Sequence, residues 1–312
     1  MKKILFLIFV LAFVLTACNG ESSQVEDTGS EVIVGYSSNN LNDTFQTYII
    51  DAAEKKASEV GAKVEIQDAQ EDVIRQQDQV KAMISQGVDV LIVVPVDTSA
   101  IEPITKAAAT AEIPLIYVNR NPFSESDMPE NVFYVGSQEF DAGMFQAEYL
   151  MELIEGGGVG ILQGILTNEG AVERTRGNIE TLADNSNFKI LAEESGNWQR
   201  DQGITITENW ITAYGDELKA VLANNDEMAL GAVRALETAG RTDVIVMGVD
   251  GITDALLEVE NGKLAATVLQ DAVGQGSGAI EAAMNAVSGK EQDAITWVPF
   301  VLINKDNIAE YK

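Results

Sequence analysis

The sequence of 312 residues contains no histidine. That excludes Ser-His-Asp and Cys-His nucleophilic catalysis and every His-ligated metal site. It contains one cysteine, Cys18, so neither an internal disulfide nor a cysteine-rich metal site can form. Positive charge is also scarce. The chain has 20 Lys and Arg against 49 Asp and Glu, a net charge of -29. So acidic a surface repels phosphates, and no nucleic-acid partner is expected. No Walker sequence is present. Gly158-Val159-Gly160 lacks the third glycine of a dinucleotide fingerprint and lies before or within an expected strand rather than after one. Gly274-Gln-Gly276-Ser-Gly278 lies in a helical pattern, where small residues permit close packing. No carboxylate pair singles itself out for glycoside chemistry. An enzyme, and with it a cofactor, is therefore not expected. What is present is ordinary for a soluble globular protein: 46% hydrophobic and 22% charged residues, in a chain long enough for one large or two medium domains.

Lys2 and Lys3 precede an unbroken apolar run, Ile4 to Leu15. The run is shorter than the roughly 20 residues that a membrane span needs, and it fits the apolar region of a signal peptide. The run leads into Leu15-Thr16-Ala17-Cys18, which resembles the lipobox of bacterial lipoproteins. The resemblance implies cleavage before Cys18, lipidation of Cys18 and anchoring on the extracytoplasmic face of the cell membrane. Losing residues 1–17 removes two lysines and no acid, which takes the charge from -29 to -31. Residues 18–30 are then a lipidated tether, since Asn19 to Ser30 is small and polar.

From Glu31 onward short apolar runs alternate with amphipathic ones. Strands are expected over Val32–Tyr36, Lys63–Ile66, Val88–Val96, Leu115–Val118 and Val132–Val135. Further strands are expected over Val159–Gln163, Lys189–Glu193, Ala220–Leu222, Val244–Val249 and Thr267–Leu269. Helical spacing fills the gaps, as in Thr44–Val60, Asp72–Gln86, Ser99–Ala111, Phe140–Ile154 and Arg174–Ala183. This alternation predicts an α/β protein with doubly wound parallel sheets, and about ten strands suit two sheets better than one.

Ligands of such sheets bind beyond the carboxyl ends of the strands. Polar residues gather there: Asn119-Arg120-Asn121, Asn224-Asn225-Asp226, Asp250 and Gln270-Asp271. Asp43 and Phe45 follow the first strand, and Trp198 follows the strand around Ile190. Polyols need this mixture. Asp, Asn, Gln and Arg bridge vicinal hydroxyls, and aromatic rings cover the apolar C–H faces of a sugar. A single Asn or Asp at such a place is more often a helix cap. Arg and Gln are not cap residues, so the set as a whole favours a binding site.

Several stretches resemble the periplasmic sugar-binding proteins of ABC transporters, of the ribose and galactose/glucose type. They are Ala223-Asn-Asn-Asp-Glu-Met-Ala-Leu-Gly231, Gly248-Val-Asp-Gly251, Ala266-Thr-Val-Leu-Gln270, Val298-Pro-Phe300 and Lys305-Asp-Asn307. The resemblance runs from Val32 to the C-terminus and is nearest to the galactose/glucose binders. It implies the periplasmic binding protein type I fold, two lobes joined by three hinge crossovers. One lobe would comprise residues 31–135 and 270–296, the other residues 136–269 and 297–312. It implies that Asp43 and Asn119 hold hydroxyls from one lobe and that Asn225 and Asp250 hold them from the other. Phe45 and Trp198 would cover the two faces of the sugar, Arg174 would be the pocket arginine, and Gln270 would sit at a crossover. Arg120 matches a pocket arginine of the ribose-type members, whereas Arg176 would brace its helix. Two departures bear on the ligand. The galactose/glucose binders carry a carboxylate where this chain has Gly170, with Asn168 two residues earlier, so hexoses, pentoses and cyclitols such as myo-inositol all stay open. Some relatives have an acidic calcium loop where this chain has Gly156-Gly157-Gly158, so no calcium is expected there. The implied partners are a small polyol and an ABC permease, and the implied state is a monomer. A receptor subunit feeding a membrane kinase or chemoreceptor is the alternative. A repressor core of the same fold is disfavoured by the export signal, the acidity and the lack of a DNA-binding headpiece.

Overall fold

The structure, a computed structural model, describes residues 31–311 apart from residue 124. Cys18, the signal segment and the tether lie outside the described residues. No helix among the described residues is long and apolar enough to cross a membrane.

The first sheet is built from β1 (Val32–Ser38), β2 (Ala62–Asp68), β3 (Val90–Val93), β4 (Leu115–Val118) and β5 (Val132–Gly136), and it takes one late strand, β11 (Ile295–Trp297). Its order is β11-β5-β4-β3-β1-β2, and every pair is parallel. The second sheet is built from β6 (Gly157–Gln163), β7 (Phe188–Ser195), β8 (Leu218–Ala223), β9 (Ile245–Asp250), β10 (Ala266–Leu269) and β12 (Val301–Asn304). Its order is β12-β10-β9-β8-β6-β7, parallel throughout except for the antiparallel edge strand β12. The central strands of both sheets are buried on both faces, as their continuous apolar runs require.

The helices follow the strands in alternation. In the first lobe α1 (Thr44–Val60), α2 (Val73–Gln86) and α3 (Glu102–Thr110) cover the sheet. In the second, α4 (Glu139–Leu153), α5 (Glu169–Leu182), α6 (Arg200–Tyr214), α7 (Asp226–Ala239) and α8 (Thr253–Asn261) do so. The last helix, α9 (Ala272–Val287), follows β10 yet packs against α1 and the first sheet. Gly276 makes that approach possible, because a Cβ there would lie 2.2 Å from the Ile49 carbonyl oxygen.

The chain passes between the sheets three times: from β5 to α4, from β10 to α9, and from β11 to β12. Two of the passages lie a residue later than expected. Gly136 and Trp297 pair with each other in the first sheet, because parallel pairing of β11 with β5 carries both strands one residue further. β11 and β12 themselves are three and four residues long, too short for a periodicity to show in sequence. The apolar run Val88–Val96 shrinks to a four-residue strand at Val90–Val93. Its ends stay buried, but Pro95 has no N–H to offer a ladder and Val88 closes the turn after α2 through Met83.

Candidate functional site

The carboxyl ends of both sheets face a single cavity. Asp43, Phe45, Asn119, Arg120, Arg174, Trp198, Asn225, Asp250 and Gln270 all line it, and so do Gln46, Glu139, Asn168 and Gly170. The structure thus brings together the residues that the family pattern singles out, but four of the strand-end residues serve the fold instead: Asn121 accepts from Phe123 N, Asn224 from Gly164 N and Thr175, Asp226 from Gly251 N, Ile252 N and Thr267, and Asp271 caps α9 through Gly274 N.

Several residues serve the fold and the cavity at once. Asp43 is the N-cap of α1, and both cap bonds, from the N–H groups of Phe45 at 2.9 Å and Gln46 at 3.2 Å, fall on Oδ1. Asn225 caps α7 by accepting from Met228 N at 3.1 Å, while its Nδ2 donates to the Trp198 carbonyl at 3.2 Å. The cap reading and the binding reading of these two residues therefore coexist. Asn119 (φ 68°), Trp198 (φ 66°) and Asp250 (φ 127°) hold backbone conformations that L-residues avoid. Three strained positions around one cavity mark a place where side-chain direction outweighs local stability.

A chain of amides crosses between the lobes. Gln46 Nε2 donates to Asn119 Oδ1 at 2.8 Å, and Asn119 Nδ2 donates to Gln270 Oε1 at 3.2 Å and Gln275 Oε1 at 3.1 Å. Gln270 Nε2 in turn donates to Asp250 Oδ1 at 2.9 Å. Gln270 occupies the passage from β10 to α9, where a side chain can reach both sheets.

The two arginines are buried and fixed. Arg120 donates from Nη1 to the carbonyls of Pro95 at 2.9 Å and Val96 at 3.3 Å, with Glu71 4.0 Å away. Arg174 donates from Nε to Glu139 Oε2 at 2.6 Å and from Nη1 to the Asn224 carbonyl at 2.5 Å, with Asp250 Oδ1 at 3.7 Å. Its guanidinium lies 5.7 Å from the Trp198 ring centroid and 5.9 Å from that of Phe300. Arg176 points away from the cavity to Glu173 and Glu180 and lies over Phe140, the helix-bracing place expected of it. Trp198 is aimed by the bond from its Nε1 to Asn168 Oδ1 at 3.0 Å. Its ring rests on Gly164, where a Cβ would lie 2.0 Å from Trp198 Cζ2.

Burial governs the electrostatics. It pushes the carboxyls of Asp43 and Glu139 up, against the opposing pull of Arg120 and Arg174 respectively. Asp250 is raised well above the usual carboxylate range, again by burial first, with Arg174 opposing. Burial lowers Arg120, which Glu71 and Asp43 counter. For Arg174 the lowering by burial is outweighed by Glu139 and Asp250, and the guanidinium is held above its ordinary range. The cavity is lined by mutually compensating buried charges beside amide groups.

The lobes also touch directly at the cavity mouth. Asn168 Nδ2 donates to the Val96 carbonyl at 2.9 Å, and Thr98 donates to the Thr167 carbonyl from N at 3.3 Å and from Oγ1 at 3.1 Å. On the other side Thr44 Oγ1 donates to Glu227 Oε1 at 3.1 Å. The described conformation is a closed one.

Gln46 and Glu139 are cavity residues that the sequence argument passes over. Gln46 sits in the first turn of α1 and carries no strand-end signal. Glu139 does carry one: β5 ends at Gly136 and is followed by Ser137-Gln138-Glu139, the same kind of polar segment after a strand that marks the other positions.

Comparison with known proteins agrees with this architecture. The periplasmic binding protein domain model matches residues 34–291. The chain is 39% identical, over all of its length and 99% of the relative's, to a protein assigned rhizopine binding in Rhizobium meliloti. It is 34% identical to the ribose import binding protein of Bacillus subtilis, covering 97% of this chain and 99% of the relative. An ABC transporter solute binding protein of Bacillus halodurans, solved with bound myo-inositol, superposes with a TM-score of 0.84 at 36% identity, covering 90% of this chain and 97% of its own. The chain belongs to the periplasmic binding protein family and has its type I fold, with two α/β lobes around parallel sheets. The matching relatives are solute-binding proteins rather than enzymes.

Proposed function

We propose that the protein is an extracytoplasmic substrate-binding lipoprotein that captures a monosaccharide or cyclitol between its lobes and delivers it to an ABC permease. The observation that carries this reading is the composition of the cavity. Paired-acceptor carboxylates, amides and two arginines approach from both lobes, and aromatic rings of Phe45 and Trp198 supply the apolar faces. A polyol uses all of these together. The ligands of the relatives fit the same class, since ribose import and bound myo-inositol stand in their names.

In this reading Asp43, Phe45, Asn119 and Arg120 grip from the first lobe, while Arg174, Trp198, Asn225 and Asp250 grip from the second. Gln270 links the two grips through the crossover. A ligand bound to both lobes stabilises the closed form that the permease reads. Cys18 carries the lipid, residues 18–30 form the tether, and the folded body works as a monomer beside the membrane.

A thermal-shift panel on the refolded, ligand-free protein tests the reading. It includes ribose, xylose, allose, fructose, glucose, galactose and myo-inositol, with amino acids as controls. A ligand at about 100 times its dissociation constant adds roughly 2.7 kcal/mol, which raises the midpoint by several degrees. A shift with amino acids alone would overturn the proposal.

A further inference from the structure

We propose that Glu139 is a specificity-determining residue of the cavity, supplying from α4 the carboxylate that Gly170 withholds from α5. The inference rests on the polyol-binding reading and deepens it. A Cβ built at Gly170 would have the Glu139 carboxyl as its nearest neighbour, with Cδ and Oε2 both at 3.6 Å. Glu139 therefore stands in the space into which a side chain at position 170 would extend. It lines the cavity beside Gly170 and Arg174.

Its burial separates it from an ordinary first-turn acid. Glu139 is 2% exposed. An acid that only complements a helix N-terminus has no reason to leave water, and Asp141 in the same turn already provides that charge. The position of Glu139 is also fixed. A Cβ at Gly143, one turn along α4, would lie 1.9 Å from the Arg174 carbonyl oxygen, so the backbones of α4 and α5 nearly touch. On that rigid seam Glu139 Oε2 accepts from Arg174 Nε at 2.6 Å. One carboxylate thus holds the arginine fork and faces the cavity.

Direction is what changes. A carboxylate at position 170 would be carried by the first turn of α5, whereas that of Glu139 is carried by the first turn of α4, directly after the β5 to α4 passage. A hydroxyl beside Arg174 is then accepted along a different line. Epimers that differ at that one hydroxyl are the ligands this distinguishes.

The experiment is calorimetry on the full chain in detergent, with inositol stereoisomers and the epimeric pairs ribose/xylose, glucose/allose and glucose/galactose. Binding of no polyol by the wild type defeats the functional reading itself. Where the wild type binds, Glu139→Gln is expected to weaken the preferred ligand at least tenfold and to change the affinity ratio of at least one epimer pair by tenfold. The double variant Glu139→Ala with Gly170→Asp moves the carboxylate from α4 to α5. It is expected to bind more tightly than Glu139→Ala alone and to rank the epimers differently from wild type. Equal factors for all ligands in Glu139→Gln, or no change, overturn the inference. If Glu139→Gln does not fold, the double variant decides. A double variant that ranks ligands as wild type does, or that cannot fold, overturns the inference too.

Discussion

Asn119 Nδ2 donates to Gln270 Oε1 at 3.2 Å, although the two residues lie 151 positions apart. Asn119 follows β4 in the first sheet, and Gln270 follows β10 in the second. Through Gln270, which also donates to Asp250 at 2.9 Å, the grips of the two lobes share one hydrogen-bond chain. Closure and binding are therefore expected to be coupled. Gln270→Ala breaks the chain at its middle, leaving Asn119 and Asp250 each short of a buried partner, at a cost of about 1–3 kcal/mol apiece. Ligand affinity should fall in both lobes' contacts at once, which calorimetry on the variant measures.

Trp198→Ala removes an aromatic face and the bond to Asn168 that also steadies the mouth contact with Val96. A loss of roughly 2–3 kcal/mol in binding, about 30- to 150-fold in affinity, is expected with the fold retained. Unchanged affinity would remove Trp198 from the site.

Gly164→Ala tests the same ring without touching it. The added methyl would meet Trp198 Cζ2 at 2.0 Å, so the ring must leave its place. Affinity should drop about as far as in Trp198→Ala, and the tryptophan fluorescence of the free protein should change.

Arg174→Ala strands Glu139 as a buried carboxylate without its partner, which costs roughly 3–5 kcal/mol of stability. Arg174→Lys should recover little, because one ammonium cannot reach Glu139 and the Asn224 carbonyl together as the guanidinium fork does. Denaturant midpoints of the two variants measure this.

Acid should stabilise the ligand-free protein. Burial pushes the Asp226 carboxyl up to about 7 from 3.8, against its bonds from Thr267, Ile252 and Gly251. Between those values the folded state holds more protons than the unfolded chain, so stability falls as pH rises through the window. The raised carboxyls of Asp43, Glu139 and Asp250 act in the same direction. The thermal midpoint is expected to climb as pH drops from about 8 towards 5, with a shallower slope for Asp226→Asn. A midpoint that falls over that range would contradict the burial account.

The fold was legible because most of it is written in runs longer than a turn. Helix α1 begins and ends where the sequence places it, with Asp43 as cap and Gly61 (φ 72°) as stop. β11 and β12 escaped because strands of three and four residues owe their existence to neighbours supplied by distant parts of the chain. The site was legible for a similar reason. Strand ends are local, and the rule that ligands bind beyond them turns scattered residues into one cavity. Glu139 escaped although it follows β5 in a polar strand end, because the pattern pointed to position 170; the three-dimensional arrangement then shows a side chain from α4 standing where one from α5 is missing.

The most direct measurement is calorimetry of the refolded wild-type protein with myo-inositol, ribose and allose in turn. The account predicts binding of one polyol at one site per chain. It also predicts a negative heat-capacity change, because the closing lobes bury apolar surface on Phe45 and Trp198. Absence of heat with every polyol, together with binding of an amino acid or another non-polyol, would contradict it.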